Sequence, residues 1–343
     1  MPGLTVDPAL VVRFRADLES ITGAAPTASS RLGLAVSGGP DSVAMLLLAA
    51  AAYPGAVCVA TVNHGLRPEA ADEAALVASL CARLGIPHAI LVRDGVIEID
   101  VRSQEGARSA RYYLLDRWAR NNRAFPPWHA DWVAVAHHRD DVAETLLMRA
   151  RRGSGVGGLA AMARSRAFDS VHGENGPQLV RPVLDWSRAE LAAVPRAAGV
   201  DCAEDPSNAA ERFDRVRIRK LLAASPELPP ARLARAAHNL RHAEDALEWW
   251  VMRELKARFE EDAEGALWLD PRDLPYELRR RFLCRAIEGV RQENGIFDPW
   301  RETGIDRLLA ALDSGKPGTI AEVQARPIRG RWRFTPAPAR RSH

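Results

Sequence analysis

Short apolar runs alternate with longer amphipathic ones through the first half of the chain, and this alternation narrows the choice of fold more than any other feature. "LGLAVS" reads as a strand and "DSVAMLLLAAAA" as a helix. "AVCVATVNHG" with "EAADEAALVASLCARLG", "HAILVR" with "GARSARYYLLDRWARNN", and "WVAVAHH" with "DDVAETLLMRARR" repeat the pair. Strands alternating with helices at this spacing imply a parallel sheet with helices on both faces. Ligands of such sheets lie beyond the carboxyl ends of the strands. "SGGPDS", "NHG" and "HHRDD" all fall there.

Near residue 226 the pattern changes. The Pro-rich "SPELPPA" punctuates the chain, and "ARLARAAHNLRHAEDALEWWVMRELKARFEE" then reads as one long helix. "PYELRRRFLCRAIEGVRQE" and "DRLLAALDSG" add helices, and "TIAEVQARPIRGRWRFTPAP" suggests two short strands around Arg329-Gly330. The expected division is an α/β domain over 1–225 and a smaller, mostly helical domain over 226–343. With 343 residues, 47% of them hydrophobic, the chain has material for two cores. No uncharged apolar run reaches the roughly 18 residues of a membrane span, and no basic stretch precedes an apolar one at the N-terminus. The expected location is therefore the cytoplasm, with no membrane contact. Cys58, Cys81, Cys202 and Cys284 are scattered without a Cys-x-x-Cys pair, which argues against a disulfide framework, a zinc knuckle or an iron–sulfur cluster.

Ser37-Gly38-Gly39-Pro40-Asp41-Ser42 joins the first strand to its helix. A helix N-terminus presents free backbone N–H groups and the positive end of the helix dipole, which suits a phosphate. Gly38 and Gly39 let backbone approach an anion closely, and Ser37 and Ser42 offer hydroxyls. The usual phosphate loop ends in Gly-Lys-Ser/Thr. Here no lysine precedes Lys220, so a nucleotide would be held differently. A carboxylate inside a phosphate loop calls for a cation between the two, which makes Asp41 a natural magnesium partner. Read alone, the turn is also compatible with Asp41 as a helix cap.

Charged residues cluster at the other strand ends. Asp140 and Asp141 sit at a helix start, where carboxylates are favoured, and Asp141 shares a face with Glu144 three residues on. Two carboxylates on one face suit an ammonium group; helix capping and exposed acids are the bland alternative. His137 and His138, adjacent on a strand, point to opposite sides and make a poor metal pair. Arg108 and Arg111 also share a helix face, where they suit phosphate oxygens or salt bridges across the helix. Arg149, Arg151 and Arg152 lead into the Gly-rich "GSGVGG", which reads as a mobile basic loop. Arg215, Arg217 and Arg219 follow at spacing two, spreading around a helix or lining one side of an extended segment. Such blocks are as readily solvated surface as nucleic-acid contacts.

"SGGPDS" resembles the signature of the N-type ATP pyrophosphatases, which split ATP to AMP and pyrophosphate while adenylating an oxygen. "NHGLRPEAADEA", "GARSARY", "AHHRDDVAETLLMRARRGSGVGGLAAM", "RPVLDWSRAEL" and "EDPSNAAERFDRVRIR" resemble, in that order, blocks of the tRNA(Ile)-lysidine synthase family over roughly residues 30–222. The resemblance implies an adenine nucleotide alpha hydrolase-like sheet and a ligase that adenylates the wobble cytidine of a CAU anticodon. Free L-lysine then displaces AMP. It also implies that Ser37, Gly38, Gly39, Pro40, Asp41, Ser42 and His64 bind ATP, with Mg2+ at Asp41 through the phosphates. Asp41, Asp140 and Arg108 would be catalytic, and Asp141 and Glu144 would seat lysine. Arg149, Arg151, Arg152, Arg215, Arg217 and Arg219 would contact tRNA. A homodimer stays open. A cytidine thiolase of the same fold is the alternative, though it would need paired cysteines. A small-molecule synthetase would lack the arginine blocks, and a noncatalytic RNA binder would not need "SGGPDS".

Overall fold

The structure is a computed structural model, describing residues 5–63, 69–92, 104–121, 129–168, 176–203, 214–298, 300 and 302–338. The chain forms two compact units, 1–241 and 242–343. The first opens with α1 (Pro8–Thr22) and then alternates as β1 (Ser30–Ala35), α2 (Pro40–Ala52), β2 (Val57–Asn63), α3 (Glu69–Leu84) and β3 (His88–Val92). It continues with α4 (Gln104–Asn121), β4 (His129–Ala134), α5 (Arg139–Ala150) and the short α6 (Val156–Leu159). After β5 (Ser165–Ala167), β6 (Gln178–Val180), α7 (Arg188–Ala197) and α8 (Asp214–Ala224), the chain enters α9 (Pro230–Arg258).

The six strands order as β3-β2-β1-β4-β6-β5. All neighbours are parallel except β5, which runs antiparallel to β6 at the edge. The period of two in the sequence separates the faces. Val57 and Val59 of β2 join Phe14 of α1, Leu46 of α2 and Leu191 of α7 in one core. Cys58 and Ala60 of the same strand join Leu115 and Trp118 of α4 in the other. Gly33 in β1 is required by that packing, because a Cβ there would lie 2.9 Å from Trp118 Cζ3.

The helix ends also follow from the sequence. Asp7 caps α1 by accepting from Ala9 N–H at 2.8 Å, Pro8 opens the helix, and Gly23 closes it at φ 70°. Ser187 and Glu190 form a reciprocal capping box on α7. Glu190 also takes Arg13 at 2.7 Å. Burial works against the charged Glu190 carboxyl, but the Ser187 hydroxyl and N–H and the Arg13 guanidinium outweigh it, and its pKa falls to about 2. Stability from this group is complete above its ordinary value near 4.5 and is lost as pH falls through about 2. Glu190→Gln should therefore flatten the pH dependence of the urea midpoint in that window; an undiminished slope would contradict the pairing.

The second unit holds the rest of α9, β7 (Phe259–Glu261), β8 (Leu267–Leu269), α10 (Tyr276–Glu293), α11 (Ile305–Asp313), β9 (Gly318–Ile320), β10 (Val323–Ile328) and β11 (Arg331–Pro336). Its antiparallel sheet orders as β7-β8-β11-β10-β9, with Phe282, Leu283 and Ile287 of α10 in its core. β10 and β11 form the hairpin expected around Arg329-Gly330. The long helix ends at Arg258, and "FEE" is strand, not helix. β7, β8 and β9 have three residues each, too few to display an alternation. The units divide inside α9 instead of at 225/226. Ala234 and Ala237 pack with Val142, Ala161 and Leu184, and Arg241 donates to the Ala161 carbonyl at 2.7 Å, which ties the first turns of α9 to the first unit.

Candidate active site

The loop after β1 is built as a cradle. Gly38 has φ +90°, where a side chain is strained, and a Cβ there would meet Ala203 Cβ at 3.4 Å and Glu73 O at 3.5 Å. The Gly38 carbonyl accepts from Ala203 N–H at 2.9 Å, fastening the turn. Ser42 is buried, and its hydroxyl donates to Gly39 O at 2.9 Å and accepts from Ser37 N–H at 3.2 Å. Ser42 thus closes the loop, while Ser37 and Pro40 lie exposed at its mouth. Gly39 caps α2 through extended backbone without a side-chain bond, leaving the first-turn N–H groups facing outward for an anion. Gly38→Ala should cost about 1–2 kcal/mol in the left-handed backbone alone and should raise the KM for ATP. An unaltered KM would show that the loop does not cradle phosphate.

Asp41 lies in the first turn of α2. Its Oδ2 is 3.4 Å from His138 Nε2, and its Oδ1 is buried without a hydrogen-bond partner. His138, 1% exposed, is the N-cap of α5: its Nδ1 accepts from Asp141 N–H at 3.4 Å, and its own N–H donates to Asp141 Oδ2 at 3.1 Å. With Nδ1 accepting, the ring proton sits on Nε2, aimed at Asp41. Burial pushes the His138 pKa down, but the Asp41 bond and the charges of Asp141 and Asp41 carry it above the ordinary value. Burial works against ionised Asp141, yet His138 and Arg215 hold its pKa below the usual range. An oxygen left unpartnered beside a phosphate cradle fits a divalent cation, so Asp41 suits magnesium.

Glu144, one turn along α5, is 1% exposed and surrounded by guanidinium groups. Arg219 Nε lies at 2.9 Å, Arg188 Nη2 at 3.2 Å and Arg215 Nε at 3.4 Å from its oxygens. The carboxylate expected to meet an ammonium is therefore already matched to cations. Because α8 is helical, Arg215 and Arg219 share the side toward Glu144, while Arg217 pairs with Asp214. Asp140 accepts from Arg188 N–H at 3.0 Å, joining α5 to the start of α7.

The remaining arginines have distinct surroundings. Arg149 donates to Gly158 O at 2.8 Å, so the Gly-rich segment contains the short, tethered α6 and is not loop throughout. Arg151 and Arg152 are exposed and reach Asp214 at 2.8 and 3.3 Å. Arg108 and Arg111 are exposed on α4. His64 lies outside the described residues. His138 was not singled out from the sequence as a partner of Asp41; a histidine three residues before Asp141 at a helix start was the available signal. Arg188 gave no signal, since its partner is 44 residues away.

The PP-loop domain family matches residues 12–225. A tRNA(Ile)-lysidine synthase from Novosphingobium aromaticivorans is 43% identical over 330 residues, covering 96% of this chain and 94% of that protein. One from Zymomonas mobilis is 40% identical, covering 91% of this chain and 90% of its own. In fold, the chain is similar to the U34-tRNA thiolase NcsA from Methanococcus maripaludis, solved with its 4Fe-4S cluster, at TM-score 0.53 and 16% identity over 68% of this chain and 80% of that one. Among the described residues no group of three or more His, Cys, Asp or Glu is arranged to hold a metal, and no helix is long and apolar enough to cross a membrane.

Proposed function

The chain belongs to the tRNA(Ile)-lysidine synthases of the PP-loop family, and from that premise we propose that it uses ATP to adenylate the wobble cytidine of a CAU anticodon and then joins lysine to it in the cytoplasm. The observation that carries this reading is the Gly38-Gly39 cradle with Asp41 Oδ1 buried and unpartnered beside it. The C2 oxygen of cytosine is a poor leaving group, and transferring AMP to it makes it a good one. The loop N–H groups bind the phosphates and stabilise the charge that develops as pyrophosphate leaves. Magnesium held by Asp41 and the phosphates would add to that stabilisation. His138 holds Asp41 in place.

Lysine must attack with a neutral ε-amine. Asp141 sits beside His138, which also faces Asp41; there a carboxylate attracts the ammonium and accepts the proton that the nitrogen sheds as it bonds to C2. Glu144 contributes by holding Arg188, Arg215 and Arg219 around the lysine position. Asp140 anchors the start of α7 against this group. The AMP ester then breaks at C2 as the new C–N bond forms, giving lysidine and AMP.

The tRNA lies along the exposed arginines Arg151, Arg152 and Arg217, with Arg149 shaping their support. Each phosphate contact displaces condensed counterions, so affinity should fall steeply with salt. Arg151→Ala/Arg152→Ala should shallow the slope of log affinity against log salt by roughly one to two and should raise the KM for tRNA more than it lowers kcat. An unchanged slope and affinity would return these side chains to plain surface. The reading as a whole is tested by incubating the protein with ATP, radiolabelled lysine and a set of unmodified tRNAs. Label should enter only the isoleucine tRNA with the CAU anticodon. Label in none, or sulfur incorporation in its place, would overturn it.

A further inference from the structure

Beyond the ends of β4 and β6 lies a cluster of cationic side chains that the reaction above does not use. Arg181, directly after β6, is 2% exposed. Its Nε donates to His137 Nδ1 at 3.2 Å and its Nη1 to Ala163 O at 2.5 Å. Tyr112 of α4 acts on it as well, opposing the fall in its pKa. The guanidinium carbons of Arg108 and Arg166 lie 5.1 and 5.0 Å from the centre of the Tyr112 ring. Among the described residues no carboxylate forms an ion pair with Arg108 or Arg181.

A buried guanidinium without a counter-charge is costly, and nearby cations increase that cost. Burial pushes the Arg181 pKa down; Tyr112 opposes this, and Arg166 and Arg108 reinforce it. Burial also pushes the His137 pKa down; Asp141 opposes this, and Arg181, Arg108 and Arg215 add to it. His137 is neutral, and because Nδ1 accepts from Arg181, its proton sits on Nε2. The cluster therefore presents mainly donors: guanidinium forks and an imidazole N–H. That is the chemistry of a phosphate site, since guanidinium groups match phosphate oxygens in pairs.

We propose that Arg108, Arg166 and Tyr112, backed by buried Arg181 and His137, bind one phosphodiester group of the RNA beside the adenylated base. This inference rests on the RNA-modifying reading above. In the sheet order β4 separates β6 from β1, so Arg181, directly after β6, stands two strand spacings, about 10 Å across the sheet, from the end of β1. That separation fits a neighbouring nucleotide better than a phosphate of the ATP held in the loop.

Arg166 lies half-buried on edge strand β5 and is not part of the core beside it, so its replacement should leave that core intact. The test measures binding of a fluorescent RNA hairpin with a CAU loop at several salt concentrations, and of inorganic pyrophosphate by calorimetry, for wild type, Arg166→Gln and Arg166→Glu. Urea midpoints confirm the fold. Arg166→Gln should weaken hairpin binding roughly tenfold and shallow its salt slope by about one, and Arg166→Glu should weaken it further. Pyrophosphate affinity should stay unchanged in both. Unchanged hairpin affinity in a folded variant overturns this site alone. Loss of pyrophosphate binding with hairpin binding intact assigns the phosphate to ATP and also overturns it. A wild-type protein that ignores the hairpin overturns both this site and the RNA-modifying reading.

Discussion

Asp41→Ala is expected to lose at least about a hundredfold in AMP formation while melting at nearly the wild-type temperature. Preorganised stabilisation of developing charge is worth a hundredfold or more at a single group, and Asp41 carries the buried, unpartnered oxygen of the loop. Removing it leaves His138 Nε2–H without the partner at 3.4 Å but leaves its cap on α5 in place. The carboxylate makes no contribution to either core, so the fold should survive. The check is pyrophosphate release at saturating ATP over a range of magnesium concentrations, alongside thermal unfolding. Adenylation near the wild-type rate would remove Asp41 from the phosphate site. Restoration of the rate by higher magnesium would show that it binds the metal weakly and is not essential.

Glu144→Ala is the second large effect, and here the loss is one of stability as well as activity. Removing a buried carboxylate leaves Arg188, Arg215 and Arg219 facing one another without their common partner. Breaking a buried ion pair from one side costs about 3–5 kcal/mol. Glu144→Gln keeps the shape, and should cost less. Adding Arg219→Met to Glu144→Ala should recover part of the loss, because it removes one stranded charge; the coupling can be read from a double-mutant cycle of urea midpoints. If Asp141 and Glu144 lie at the proposed lysine site, lysine KM in Glu144→Gln should rise more than ATP KM, since the arginines that Glu144 holds lose their common partner. Full stability in Glu144→Ala would show that the arginines find water as readily as the carboxylate.

The sheet and its ligand edge were legible in the sequence because the apolar alternation of β2 and the apolar length of α2 admit few other structures. The loop was legible because Gly38 and Gly39 stand between a strand and a helix with a carboxylate beside them. The partners of Glu144 were not. Sequence places Glu144 on the side of Asp141, but two of its arginines, Arg188 on α7 and Arg219 on α8, stand 44 and 75 residues away, and only the fold brings those helices to α5. Adjacent histidines likewise hid their separate roles: His138 turns to cap α5 and hold Asp41, while His137 accepts from Arg181. In the second unit, the hairpin announced itself through its turn, whereas β7, β8 and β9 are fixed by their neighbours in the sheet and not by any local pattern.

The whole reaction depends on activation of the RNA before lysine arrives. That order is tested most directly by mixing the protein, magnesium and unmodified isoleucine tRNA with ATP radiolabelled at the α-phosphate, with lysine omitted. Label should become acid-precipitable with the tRNA and be released as AMP when lysine is added. Label that appears on lysine instead, or that forms AMP only when lysine is present and never joins the tRNA, would contradict it.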